Sequence, residues 1–302
     1  MVCVRGGSQA RQPRRVVGLV SVGLALALVV VTGCVTGTSV GDRTGVAVTI
    51  PPLQEFVQRV GGDLVDVTVI VSQGDPHESR LTSGQVKAVA EAEMYAKVGS
   101  GIEFELLQLD DLLETNKDIV LVDCSEGVEL IPMDGEHNGE SGSPDPHIWM
   151  SPPNAAIMVR NICDGLVRLD PENRDYYLAN RDAYIQELED LDGRIRQSLA
   201  GVSKRTFMVY HPSLGYFAAE YGLTMLSVEE GGKEPTGDLT RTIEQAKEND
   251  ITVVFTSPLS DPRPAEVIAS AIRGEVRYID PLAADYISNM RAFLDTLLEA
   301  LE

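Results

Sequence analysis

The chain reads as an α/β protein of two lobes, each a mostly parallel sheet flanked by helices, joined by one long rigid helix. Three observations predict this. Short apolar, β-branched runs alternate with helical patterns almost throughout the chain beyond residue 45. They form two runs of four βα units, and such alternation builds parallel sheets. Between the runs lies a segment of another kind, 173–199, which has no proline and one glycine. Its apolar side chains Tyr177, Tyr184, Leu188, Leu191, Ile195 and Leu199 recur at spacings of seven, four, three, four and four. That stripe predicts one helix of about 27 residues, roughly 40 Å long at 1.5 Å per residue. A coiled-coil strand is the competing reading. With only about four heptads and globular flanks on both sides, a bridge between lobes is favoured.

In the first lobe the β-branched runs place strands at 46–50, 65–71, 94–98 and 119–123. Helices are expected at 53–60, at 84–93 with Ser83 as N-cap, at 104–114 and at 154–167. The second lobe repeats the theme, with strands at 206–210, 224–228, 252–256 and 276–279. Its helices are expected at 214–221, 239–249, 265–272 and 286–301. The segment 134–145, DGEHNGESGSPD, is polar and glycine-rich and is expected to be a mobile surface loop.

The N-terminus has the composition of an export signal. Arg5, Arg11, Arg14 and Arg15 precede an apolar run, 16–31, that is short for a membrane span and ends in small residues before Cys34. An uncleaved anchor helix is the alternative. The resulting organisation is a signal over 1–34, a tether over 35–44, an N-terminal lobe over 45–171, a linking helix over 172–201 and a C-terminal lobe over 202–302. Net charge is −21, and because residues 1–34 hold four arginines and no acid, the remainder stands at −25. So acidic a surface argues against nucleic acid or anionic lipid as a partner. Beyond the signal, two cysteines remain, Cys124 and Cys163. In an exported protein they are candidates for a disulfide, and their separation leaves a bridge and two free thiols both open.

The chain has four histidines, and three adjoin proline: His77 in Asp75-Pro76-His77, His147 in Asp145-Pro146-His147, and His211 before Pro212. Proline fixes its own φ and restricts its predecessor, which suits side chains that must converge on an ion. His77 follows the second strand, His211 directly follows the fifth, and Asp280 ends the eighth. Open α/β sheets bind ligands beyond such carboxyl ends. Three imidazoles and a carboxylate make a closed tetrahedral set suited to zinc, with no position left for an activated water. A lone histidine at a strand end is more often structural. His137, within the polar loop, is expected to be solvated.

These residues resemble the zinc- and manganese-binding solute-binding lipoproteins of ABC metal importers. The resemblance runs in order through Gly74-Asp75-Pro76-His77, Asp145-Pro146-His147-Ile148-Trp149-Met150-Ser151-Pro152 and His211-Pro212-Ser213-Leu214-Gly215-Tyr216. It continues through Glu234-Pro235-Thr236, Ile279-Asp280-Pro281-Leu282 and Tyr286 to Arg291, covering roughly 45–302. It implies two α/β lobes bridged by one long helix, small lobe motions, and an ion held by His77, His147, His211 and Asp280. Residues 31–34 resemble a lipobox, which implies a lipid on Cys34 and an extracytoplasmic protein tethered to the membrane. The implied partners are a permease and its ATPase, with the binding protein itself a monomer. The chain departs from its relatives at Glu78-Ser79-Arg80-Leu81-Thr82-Ser83, where they usually carry an acidic, proline-rich run. It departs again at Ser257, where they often have glutamate, and in the single histidine of the 134–145 loop.

An imidazole at 211, where manganese-handling relatives tend to carry a carboxylate, favours Zn2+ over Mn2+ or Fe2+ as cargo. Two other classes are weaker. A surface adhesion or metal-sensing lipoprotein could use the same fold. A zinc hydrolase would need an open coordination position, and it has only Glu78 as a nearby base and no HExxH helix.

Overall fold

The computed structural model describes residues 43–72, 81–133, 136–137, 140–141, 143–229 and 239–302. The first lobe runs β1 (Thr44–Val48), α1 (Pro51–Gly61), β2 (Val65–Val69), α2 (Ser83–Glu91), β3 (Met94–Lys97), α3 (Glu103–Leu113) and β4 (Val120–Asp123). The short pair β5 (Glu136–His137) and β6 (Glu140–Ser141) precedes α4 (Pro152–Leu169) and α5 (Arg174–Leu199). The second lobe is β7 (Thr206–Val209), α6 (Gly215–Tyr221), β8 (Thr224–Ser227), α7 (Thr240–Glu248), β9 (Val253–Thr256), α8 (Arg263–Ile272), β10 (Glu275–Tyr278) and α9 (Tyr286–Leu301).

Both four-stranded sheets are parallel and wound alike, in the orders β2-β1-β3-β4 and β8-β7-β9-β10. In each, the first strand of the lobe lies inside, so the winding reverses beside β1 and beside β7. That reversal opens a crevice at the carboxyl ends of those strands. The predicted strands and helices are all present, with ends shifted by one or two residues. The cap of α2 is one residue earlier than expected. Thr82, not Ser83, accepts from the Gln85 amide, and Gln85 reaches back to the Thr82 amide to close a capping box.

Helix α5 is one helix of 26 residues, about 39 Å long at 1.5 Å per residue. The predicted stripe is its buried face, joined by Ile185. It packs on α1 and α4 of the first lobe and on α6 and α9 of the second, so its partners are helices of its own chain. One apolar core continues from Val46, Phe56 and Tyr95 through Tyr184 and Leu188 to Phe217 and Phe293. A smaller cluster, with Met208, Val254 and Ile268, lies under α7 and α8.

Polar bonds reinforce this junction. Glu55 of α1 accepts from the Tyr184 hydroxyl of α5 at 2.8 Å and from the Tyr286 amide at the start of α9. Arg59 lies over the Tyr184 ring, 4.4 Å from its centroid, and pairs with Glu187. Burial raises the Glu55 carboxyl above its ordinary 4.5, against the lowering effect of those hydrogen bonds. A carboxyl raised in the folded state binds protons that the unfolded chain has already released. Its contribution is therefore fully present below pH 4.5 and is lost as pH rises through the folded value. Urea midpoints are expected to fall between pH 4.5 and 7 less steeply in Glu55→Gln than in the parent protein.

The structure decides a point that the sequence leaves open. Cys124 and Cys163 are both free and buried. They face different surroundings: Cys124 lies among Glu105, Asp123 and Lys97, whereas Cys163 on α4 faces Arg181, Asp164 and Asp182. Burial pushes the Cys163 thiol up to about 11 and Cys124 well above its ordinary value, so neither is a ready nucleophile. Alkylation of the native protein is expected to spare both. After unfolding without reductant, peptide mapping should find both modified.

Within the 134–145 segment the described residues hold a short ladder. β5 and β6 pair antiparallel, with Glu136 opposite Ser141, and Pro132 and Pro144 form a bridge below them. Asp145 N donates to Ile131 O at 2.8 Å, and Met133 N donates to Ser143 O at 3.0 Å. Glycine-rich composition hid a hairpin, because a ladder needs only backbone groups. This hairpin delivers the chain to His147 from an anchored base.

Candidate metal site

His147 ends the hairpin and begins a single 3-10 turn, Ile148–Met150, after which Ser151 caps α4 and Pro152 starts it. His147 is 4% exposed. Asp145 Oδ1 accepts from both the amide (2.9 Å) and Nδ1 (2.7 Å) of His147, with Pro146 fixing the turn between them. The Asp-Pro-His tripeptide is therefore a ring holder and its ring in one unit.

His211 follows β7 at the reversal point of the second sheet. Its Nδ1 donates to Glu229 Oε2 at 2.7 Å. β7 and β8 pair with Val209 opposite Ser227, and the pairing continues through the Glu229 amide to Tyr210 O at 3.0 Å. That register sets Glu229 beside His211.

The two rings meet across the lobes, with His147 Nε2 3.2 Å from His211 Nε2 and ring centroids 5.1 Å apart. A carboxylate can only accept, so each Nδ1 carries a hydrogen, and in the neutral rings each Nε2 then turns a lone pair toward the other. Two such lone pairs at this distance repel unless a cation or proton lies between them. Coordination of a soft divalent metal satisfies both.

Contacts around the rings fix this approach. Trp149 lies 5.3 Å from His147, centroid to centroid, and its indole N–H donates to Pro281 O at 2.7 Å. The segment bearing Asp280 is thus tied to the segment bearing His147. Asp280 Oδ1 accepts from Leu282 N at 2.9 Å, and its carbonyl accepts from Asn289 Nδ2 at 2.7 Å. Ile131 N donates to the Tyr216 hydroxyl at 3.2 Å. Gly215 explains its own presence, since a Cβ there would sit 2.3 Å from Asp145 Oδ2.

Of the four predicted ligands, the described residues bring His147 and His211 together. Asp280 reaches their neighbourhood through Pro281 and Trp149, and His77 lies outside the described residues. Among the described residues no three His, Cys, Asp or Glu side chains converge as an ion cage. Cys34 and Glu234-Pro235-Thr236 also lie outside them. Sequence reasoning did not single out Glu229 as the holder of His211, or Asp145 as the holder of His147. Glu229 was traceable: counting two residues past the ends of adjacent parallel strands pairs 211 with 229.

Two α/β lobes on one continuous core, with carboxylate-held imidazoles facing each other at their junction, define a solute-binding protein built for a metal cation. The chain belongs to the family described as "ZnuA: Zinc-uptake complex component A periplasmic", which matches residues 46–300. Its members are the metal-binding components of ABC-type uptake systems and are not enzymes. The chain is 27% identical to the high-affinity zinc uptake system protein ZnuA of Bacillus subtilis (strain 168), over 87% of this chain and 89% of that one. It is 29% identical to the manganese-binding lipoprotein MntA of Halalkalibacterium halodurans, over 88% and 91%. A crystal structure of ZnuA superposes with a TM-score of 0.81 at 38% identity, covering 86% of this chain and all of the other. No helix among the described residues is long and apolar enough to cross a membrane.

Proposed function

We propose that this protein captures Zn2+ between its lobes on His77, His147, His211 and Asp280 and delivers it to an ABC permease driven by its ATPase. It does so as an extracytoplasmic monomer held to the membrane by a lipid on Cys34. The observation that carries the reading is the facing Nε2 pair, 3.2 Å apart, each ring fixed by a carboxylate at its other nitrogen. Three nitrogens and one oxygen favour zinc over manganese in the usual order of affinities. The manganese-binding relative supports Mn2+ as a second cargo, to be decided by competition. The continuous core across the lobes and the Glu55 bonds oppose a wide hinge, so release is expected to use local movement of the ligand-bearing segments.

The chain has one tryptophan, and it lies beside His147. Titrating chelator-stripped protein with zinc should therefore perturb its emission with an end point at one equivalent, and elemental analysis should find one zinc per chain. A tenfold excess of manganese should leave the zinc end point in place. Failure to retain zinc against a weak chelator would end this reading.

A further inference from the structure

Glu105 is a buried acid in α3, well away in sequence from every proposed ligand, and its bonds are unusually many. Its Oε1 accepts from the Thr49 hydroxyl (2.6 Å) and from Val98 N (2.7 Å), and its Oε2 accepts from Gly99 N (2.9 Å). Thr49 in turn accepts from the Tyr95 hydroxyl at 3.1 Å. These groups stand at the carboxyl ends of β1 and β3, the reversal point of the first sheet. A glutamate in the first turn of a helix has no need of this depth for capping alone. What it grips is a loop in which Gly99 and Gly101 have φ of +84° and +103°, a backbone that few other residues would adopt.

That loop touches the candidate metal site. Ser100, itself buried, donates its hydroxyl to Pro146 O, the carbonyl directly before His147. Ser125 flanks the same loop on the other side, its Oγ 3.1 Å from Gly99 O and 2.6 Å from Asp123 Oδ1. Asp145 fixes the His147 ring through Nδ1, but it sits on the same short segment and cannot by itself set where that segment stands in the lobe. The route from Glu105 through the Val98 and Gly99 amides and Ser100 to Pro146 ties the segment to the sheet.

We propose that Glu105 is a positioning residue for metal capture, fixing the backbone that presents His147 by clamping the 98–101 loop to the end of the first sheet. This rests on the zinc-binding reading above. Groups that hold metal ligands typically change affinity 10- to 100-fold when replaced.

The test uses the full chain and compares Glu105→Gln, Ser100→Ala, the double variant, and Ile162→Val as a buried control on α4. Glu105→Gln is expected to raise the zinc Kd about 10- to 100-fold. Ser100→Ala should shift it in the same direction, and the double variant by less than the product of the two, because both break one route. The d–d spectrum of the Co2+-loaded protein should change in these variants. Ile162→Val should lower the melting temperature and leave Kd and spectrum alone. Parental Kd and spectrum in Glu105→Gln, whatever its melting temperature, would overturn the proposal. Should Glu105→Gln not fold, Ser100→Ala decides by the same two readouts. If the parent binds no zinc, the cargo reading falls. The 15N shifts of the His147 imidazole in metal-free protein then still show whether these substitutions move that ring.

Discussion

Replacing His211 with alanine is expected to weaken zinc binding by at least roughly a hundredfold, measured by competition with a chromophoric chelator. A nanomolar site corresponds to about 12 kcal/mol, so an equal share among four ligands is about 3 kcal/mol each, and each 1.4 kcal/mol is tenfold. The effect on the metal-free protein should be far smaller. His211 is partly exposed and is no member of the apolar core. Glu229→Gln separates holding from binding. Glutamine can still accept the Nδ1–H but lacks the charge that strengthens the ring as a donor, so a loss nearer tenfold is expected. An unchanged Kd in His211→Ala would remove the second lobe from the site, and with it the idea of capture between lobes.

The fold was legible because its determinants are local. β-Branched runs and helical stripes repeat in each lobe, and the buried face of α5 differs from the sequence stripe only by Ile185. Strand order was not written there in the same way. β7 pairs with both β8 and β9, and no local pattern in 206–209 names either neighbour. The proline-flanked histidines were visible for the same local reason, as their stiffening is encoded beside them. Their carboxylate holders divide by distance. Asp145 is visible within its motif, but the sequence there shows only a rigid turn. Glu229 lies 18 residues from His211 and becomes its partner only through register. Glu105 lies further still, since its influence on His147 passes through backbone amides that carry no sequence signature. The free thiols follow the same logic. Cys124 and Cys163 face different groups, a matter of direction that no count of cysteines contains.

Trp149→Ala is expected to have the largest effect on stability and to damage metal binding at the same time. The side chain is 1% exposed, and removing a buried tryptophan costs about 3–5 kcal/mol. At 2–4 °C per kcal/mol for a chain of this size, the melting temperature should fall by on the order of 10 °C. Trp149→Phe distinguishes bulk from bonding. Phenylalanine fills much of the space but offers no donor to Pro281 O, so that carbonyl loses its partner at a cost of about 1–3 kcal/mol. The indole hydrogen bond is also a tie between the segment of His147 and that of Asp280. Without it, the carboxylate and the imidazoles no longer have a fixed separation, and any ion they share meets a looser cage. Zinc affinity in Trp149→Phe should therefore drop about tenfold or more even where the melting temperature falls by only a few degrees. Calorimetric titration is the suitable measurement, because either substitution removes the single fluorescent indole. If Trp149→Phe binds zinc as tightly as the parent, the 280–281 segment is held in place by other contacts, and Asp280 has no need of the indole to reach the ion.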